Sequence, residues 1–204
     1  MVGMTGLVED CSDGFTPLSL DKWQWHPSPL PGQVVLVTTV DADGTANVAP
    51  KSWFTVAAFT GPVLGFGCSE QHQTCRNIEA TRQFTINVPS VELAGAIWGM
   101  PDVSDRFTHS GLTTQPGKTV SVPSITQSIA HFECGLDRIV EFSEGEVFIF
   151  GVVRLAEVAR RALVPDSPSE RYPALGTPFF FLEDGWLAPL GQPRQFDGRS
   201  HLVG

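Results

Sequence analysis

Two stretches in the second half of the chain, Ile129 to Phe142 and Glu146 to Val158, are its longest strand candidates, and only Ser143-Glu-Gly145 separates them. Strands of that length joined by so short a link read as one long antiparallel hairpin. Shorter candidates precede it. Val34 to Val40 is an apolar run rich in β-branched residues, as a buried strand requires. Asp41-Ala-Asp-Gly44 carries turn chemistry, with Gly44 able to take a positive φ, and Thr45 to Ala49 resumes as the second arm of a hairpin. Trp53 to Phe59 extends as far as Gly61-Pro62. Val63 to Gly67 forms another strand, and Phe84 to Val88 alternates and stops at Pro89. Phe179 to Leu182 adds a last edge strand.

Helical signals are few and short. Gln71 to Thr81 reads as a helix with Thr74 as its N-cap and Ile78 facing inward. Ser90 is placed to cap a short helix over Val91 to Trp98, and Asp105 to Thr108 allows one turn more. The polar 101–128 stretch, rich in Gly, Pro and Thr, is a long excursion of the kind that often carries function. About six or seven strands, a few short helices and no strand–helix alternation define a mostly β (α+β) domain of barrel type. No G-x-G-x-x-G follows a strand, which argues against a Rossmann-type nucleotide fold.

The 204 residues suit one domain with decorated ends. We divide them into an arm over 1–27, with Trp23 and Trp25 as aromatic anchors, a domain over 28–190 and a tail over 191–204. A net charge of -9 disfavours nucleic acid and anionic membrane surfaces as partners. Any anionic ligand must then be met by a local arrangement such as a helix N-terminus. The four cysteines form no C-x-x-C pair and no disulfide framework, and Met1 to Asp10 has no apolar run of a signal peptide. A cytoplasmic location is the expectation. With 14 Phe and 5 Trp against one Tyr, the aromatic content, Trp98 included, is expected to pack inside. Cys68 and Cys75 read as small apolar residues rather than redox centres.

No nucleophile elbow, P-loop, H-E-x-x-H or EF-hand loop is present, and histidines 26, 72, 109, 131 and 201 sit at no metal-ligand spacing. Covalent and metal catalysis are therefore poorly supported. One ordered constellation remains. It runs Val37-Thr-Thr-Val-Asp-Ala-Asp-Gly44, then Asn47-Val-Ala-Pro-Lys-Ser-Trp-Phe54, then Thr74-Cys-Arg-Asn-Ile-Glu79. This order resembles the FMN-binding core of the flavin reductase family, flavoredoxins and short-chain flavin reductases included. That family's pattern reads roughly T-x-x-x-D-G-x-x-N-x-A-P-x-S-x-F, then T-x-x-N-I, then a strand opening on Phe. Asp105-Arg-Phe107, Phe132-Glu-Cys134 and Phe148-Ile-Phe-Gly-Val-Val153 match later signatures, so the likeness spans about residues 28–160.

The resemblance implies an FMN-binding split β-barrel with a few short peripheral helices, FAD being the alternative cofactor. It implies flavin contacts at Asn47, Val48, Ala49, Pro50, Lys51, Ser52 and Trp53, at Cys68 and Ser69, and at Gln73, Thr74 and Asn77. Physically, backbone groups between Asn47 and Trp53 would meet the polar edge of the ring. The phosphate would sit at the helix N-terminus, on hydroxyls of Ser69 and Thr74 with Arg76 or Lys51 as local charge. Thr74 alone would be an ordinary cap; the joint pattern carries the reading. The implied activity is an oxidoreductase that takes hydride from NADH or NADPH and passes reduced flavin or electrons to a separate acceptor or partner oxygenase. The alternative is a flavin-binding carrier without nicotinamide turnover. A homodimer is implied as well.

Two departures stand out. His72-Gln73 occupies the place of the Lys-Asp that many relatives carry, and Glu146 falls where short-chain reductases carry a histidine. No catalytic residue is assigned beyond one candidate, His109 in the 101–128 loop.

Overall fold

The computed structural model describes residues 32–101, 106–164, 167, 170–171, 175–176, 179–181, 187–189 and 191. The arm over 1–27, with Trp23 and Trp25, lies outside the described residues, as do Asp105 and the tail beyond Gly191.

Seven strands make one sheet. In chain order they are β1 (Val35–Val40), β2 (Ala46–Lys51), β3 (Phe54–Ala58), β4 (Val63–Ser69), β5 (Gln83–Val88), β8 (Ala130–Ser143) and β9 (Glu146–Val158), with the two-residue β6 (Thr114–Gln115) and β7 (Ser124–Ile125) before β8. The spatial order is β2-β1-β5-β8-β9-β4-β3. Every pairing in it is antiparallel. The expected long hairpin is β8–β9, turning at Glu144-Gly145, both at positive φ.

The two edge strands of this sheet, β2 and β3, are consecutive in the chain. Only Ser52 and Trp53 lie between them. Laid flat, seven strands at about 4.8 Å spacing would hold their edges about 29 Å apart. The three Cα–Cα steps from Lys51 to Phe54 span at most about 11 Å. The sheet must therefore curl until its edges approach, which makes a barrel open between β2 and β3. Register shifts at Val56/Ala58, Glu133/Cys134, Leu136/Arg138 and Glu141/Ser143 supply local bends. Gly151 permits one close approach inside the barrel: a Cβ there would stand 2.3 Å from Cζ of Phe84.

The barrel fills with Val35, Val37, Phe66, Phe84, Ile86 and Ile149, closed by Ile78 and Cys75 of α1 (Gln73–Thr81). The outer face of β1 is covered too. Leu36 and Val48 pack with Ala94 and Ile97 of α2 (Ala94–Trp98), with Ile125 of β7 and with Phe179 of β10 (Phe179–Phe181). Buried on both faces, β1 shows no exposed position. β10 pairs with β11 (Leu187–Pro189) in a separate small sheet and meets the barrel through Val34 N–H, which donates to the Phe179 carbonyl at 3.1 Å. The expected last edge strand thus belongs to a side ribbon.

The 101–128 excursion is structured. It contributes α3 (Arg106–Ser110) and the β6–β7 ribbon. Its 117–122 portion is tied to the barrel by Glu133, which is 1% exposed. One carboxylate oxygen accepts from the Lys118 N–H at 2.8 Å; the other accepts from the Thr119 N–H and hydroxyl, each at 2.6 Å. Aromatic packing departs from expectation. Trp98 is 58% exposed and Phe59 82%, so these two lie outside the core. In the 91–98 segment Ala94 and Ile97 are buried in the outer core, and Val91 and Leu93 pack against it.

Burial opposes ionisation of Glu133, yet hydrogen bonds from Thr119 and from the Lys118, Thr119 and Val120 amides outweigh it and hold the carboxyl below its ordinary 4.5. A carboxyl lowered on folding adds stability above its unfolded value and loses it as the pH falls through the folded one. Glu133→Gln should therefore cost about 2 kcal/mol at neutral pH. In urea titrations the gap between wild type and variant should shrink as the pH is lowered below 4.5.

Candidate functional site

The β1–β2 hairpin sets the first wall of a cleft. Asp41 fixes the turn, its Oδ1 accepting from the N–H groups of Asp43 at 3.0 Å and Thr45 at 2.8 Å, with Gly44 at φ 84°. Pairing then places Thr39 opposite Asn47, Val37 opposite Ala49 and Val35 opposite Lys51. Side chains alternate along a strand, so Asn47, Ala49 and Lys51 share one face and Val48 takes the other. Val48 is fully buried in the outer core.

Helix α1 sits over that same face. Its Asn77 amide donates to Thr39 Oγ1 at 3.0 Å, and Gln73 donates to the Asn77 Oδ1. This chain of bonds holds the first turn of the helix against the hairpin. The N-cap is His72, in extended conformation and without a side-chain capping bond. Thr74, expected as the cap, lies inside the first turn and is 1% exposed. His72 serves through its backbone instead, its carbonyl accepting from the Cys75 and Arg76 N–H groups at 3.0 and 3.3 Å. The Arg76 guanidinium donates to the Gln71 carbonyl and, at 2.9 Å, to Gln73 Oε1.

The third wall comes from α3. Arg106 reaches back to the hairpin, donating to the Val48 carbonyl at 3.3 Å. Together these elements enclose a cleft of ≈ 700 Å³. Asn47, Ala49, Pro50, Lys51, Gln73, Thr74 and Asn77 line it, as the motif implied. Val48, Ser52, Trp53, Cys68 and Ser69 do not. The Ser69 hydroxyl accepts from the Gln71 N–H at 3.2 Å and so shapes the turn into α1. Trp53 is 46% exposed and lies over Gly67, where a Cβ would come within 3.1 Å of its ring. His109 is exposed on α3, outside the lining.

The cleft also holds residues not named as flavin contacts: Asp41, Thr45 and Ala46 of the hairpin, Gln71 and His72 before α1, Met100 and Arg106, together with Arg76, already offered as a local charge. Arg106 is the main omission. Its position in the Asp105-Arg-Phe107 signature marked the segment, but no periodicity ties α3 to β2. Lys51, Arg76 and Arg106 gather three cations here in a chain of net charge -9. Inside the same cleft, Asn47 is 6% exposed and its Nδ2 has no hydrogen-bond partner among the described residues. A buried amide donor left unpaired is costly, and it marks a place where a ligand acceptor would be held.

Cys75 and Cys134 are buried and poor redox candidates. Burial, reinforced by Cys68, Glu79 and Glu70, pushes the Cys75 thiol up to about 11. Burial raises Cys134 to about 12, against the pull of Arg154. Among the described residues, no three His, Cys, Asp or Glu side chains are grouped to hold a metal ion, and no helix is long and apolar enough to cross a membrane.

A curled antiparallel barrel with a polar, cation-rich cleft at a helix start defines a class of small-molecule-binding β-barrel. Residues 28–165 match the family described as "Flavin reductase like domain", and the chain belongs to that family. An uncharacterized protein of Aquifex aeolicus is 32% identical over 138 residues, 63% of this chain and 70% of that one. Nitrilotriacetate monooxygenase component B from Bacillus cereus superposes with a TM-score of 0.75 at 21% identity, covering 94% of this chain and 100% of that one. A Shewanella frigidimarina protein with a split barrel domain superposes with a TM-score of 0.71 at 17% identity, covering 82% of this chain and 86% of that one. The fold is thus the split barrel.

Asn47 separates binding from stability. Replacing it in Asn47→Leu removes an unpaired buried donor, so thermal stability should hold or rise. Ligand affinity should fall by about 1–3 kcal/mol. Thermal unfolding and a binding titration on the same preparation check both halves.

Proposed function

We propose that the cleft binds FMN and that the protein is an NADH- or NADPH-dependent flavin reductase, handing reduced flavin or electrons to a separate acceptor. The observation that carries this reading is the conjunction of three cations at the start of α1 with the unpaired amide of Asn47 in one cleft. A flavin nucleotide needs both. Its phosphate asks for oriented donors and positive charge, and the polar edge of its ring asks for amide partners. The cleft volume of ≈ 700 Å³ lies within the range of cofactor pockets. FAD remains the alternative ligand.

The residues present fit such a group. Lys51, Arg76 and Arg106 supply charge for the phosphate, and the start of α1, which has no side-chain cap, adds the positive end of the helix dipole. Asn47 and the backbone around Ala49 and Pro50 orient the ring edge. Flavin supplies the hydride chemistry that no side chain can perform, so the protein has to bind, align and exclude water. No acid–base dyad is needed for that role.

A second reading is a flavin-binding electron carrier without nicotinamide turnover. Two observations favour it: Glu146 is exposed at the β8–β9 turn, where the family histidine was expected, and His109 stands outside the cleft. Steady-state oxidation of NADH and NADPH with added FMN separates the readings. Turnover supports the reductase. A yellow, FMN-loaded protein with no turnover supports the carrier. In the reductase case, His109→Ala with a raised KM and unchanged FMN affinity would place that residue at the nicotinamide; unchanged kinetics would return it to the surface.

We further propose a homodimer as the working state. Trp53, Val56 and Phe59, on and beside the edge strand β3, are 46%, 48% and 82% exposed and make an apolar edge that one barrel leaves uncovered. Light scattering of the FMN-bound protein at micromolar concentration should give twice the chain mass; the mass of one chain would remove this proposal.

A further inference from the structure

His72 is where this chain departs from the lysine expected before α1, and the structure sets a lysine against its ring. Its Nδ1 lies 3.3 Å from Lys51 Nζ and 3.7 Å from Cys68 Sγ. An ammonium can only donate. The contact therefore requires Nδ1 to accept, which assigns the ring proton to Nε2 in the ligand-free protein. The sulfur of Cys68, whose thiol donates to the Ser69 carbonyl, lies close to the same nitrogen. His72 also lines the cleft, beside Gln71, Gln73 and Arg76.

Among the described residues, Lys51 reaches this imidazole from β2 and Cys68 from the end of β4. Glu70 stands in the β4–α1 turn, Arg76 and Glu79 follow on α1, and Asp41 and Arg106 line the same cleft. A proton added at Nδ1 of the empty cleft would oppose the ammonium of Lys51 at contact distance. A dianion in the cleft reverses that balance. It draws Lys51 toward itself, removes the donor from Nδ1 and favours the charged ring at the same time.

We propose that His72 is a proton-coupled anion receptor, which takes up a solvent proton at Nδ1 when a phosphate-bearing ligand enters the cleft and becomes the cation that a lysine would supply permanently. The site is more than a helix start: the unpaired Nδ2 of Asn47, in a side chain 6% exposed, lines the same cleft and independently points to a bound ligand. Where the ligand is FMN, the inference rests on the flavin reading above. It then predicts a preference for FMN over riboflavin that fades as the pH rises through the midpoint of the bound imidazole.

NMR titration of the histidine ring resonances tests this directly, with His72 assigned by its loss in His72→Gln. The titration is run on the full chain alone, with riboflavin, with FMN and with inorganic sulfate, a dianion that does not titrate near neutrality. The His72 midpoint should rise by about one pH unit with FMN and with sulfate, the effect of one close opposite charge, and should not move with riboflavin. His72→Gln should lower the FMN-to-riboflavin affinity ratio, by up to about tenfold below the free-ring midpoint and by progressively less as the pH rises. An unmoved midpoint with FMN demonstrably bound overturns the proposal and leaves the flavin reading intact. A raised midpoint with sulfate in a protein that binds neither flavin upholds the anion receptor and removes the flavin reading.

Discussion

The link of two residues between β2 and β3 is the constraint from which the rest follows. Ser52 and Trp53 join the two edges of a seven-stranded sheet, so closure is a condition of chain connectivity before it is a result of packing. Once the edges approach, the inner faces of β1, β4, β5 and β9 must share one core, and α1 is left to plug its open end with Cys75 and Ile78. The same closure turns the face of β2 that bears Asn47, Ala49 and Lys51 toward the start of α1. The cleft is thus a by-product of how the barrel shuts. Its shape owes little to the loops that line it.

Local structure was largely legible in the chain. The long hairpin was read within a residue or two at each boundary, because period-two patterning and the Ser143-Glu-Gly145 link leave few alternatives. What the residues did not reveal was the order of strands, which depends on contacts far apart in sequence. The site shows the same division. Seven of the motif residues meet in the cleft, since they lie on one hairpin and one helix turn. Val48 does not, because strand alternation turns it into the outer core. Arg106 arrives from an element almost sixty residues away and donates to the Val48 carbonyl. Thr74 failed as a cap for a different reason: β4 and its turn deliver His72 to that place, and the cap preference of threonine is too weak to shift the helix by two residues.

Charge is distributed with the same economy. The chain is strongly acidic, which favours solubility but repels a phosphate at long range. Attraction must then be generated at short range, and it is generated on three separate elements: Lys51 on β2, Arg76 on α1 and Arg106 on α3. No one element carries the site. Each cation is also occupied within the protein, with Lys51 near His72, Arg76 on Gln71 and Gln73, and Arg106 on Val48.

This arrangement explains why an unpaired amide and a titratable ring persist at one site. A cleft whose polar groups were all satisfied internally would be more stable and would bind less, since each ligand bond would have to displace an existing one. Asn47 stands at one extreme, with a buried donor that only a ligand can satisfy. His72 stands at the other, with its Nδ1 already engaged by Lys51. The first gives affinity at a constant cost in stability. The second defers its cost, because the ring need carry charge only when an anion is there to stabilise it. A permanent lysine at 72 would add repulsion to the empty cleft of Lys51, Arg76 and Arg106, so the histidine allows three fixed cations to stay close without a fourth.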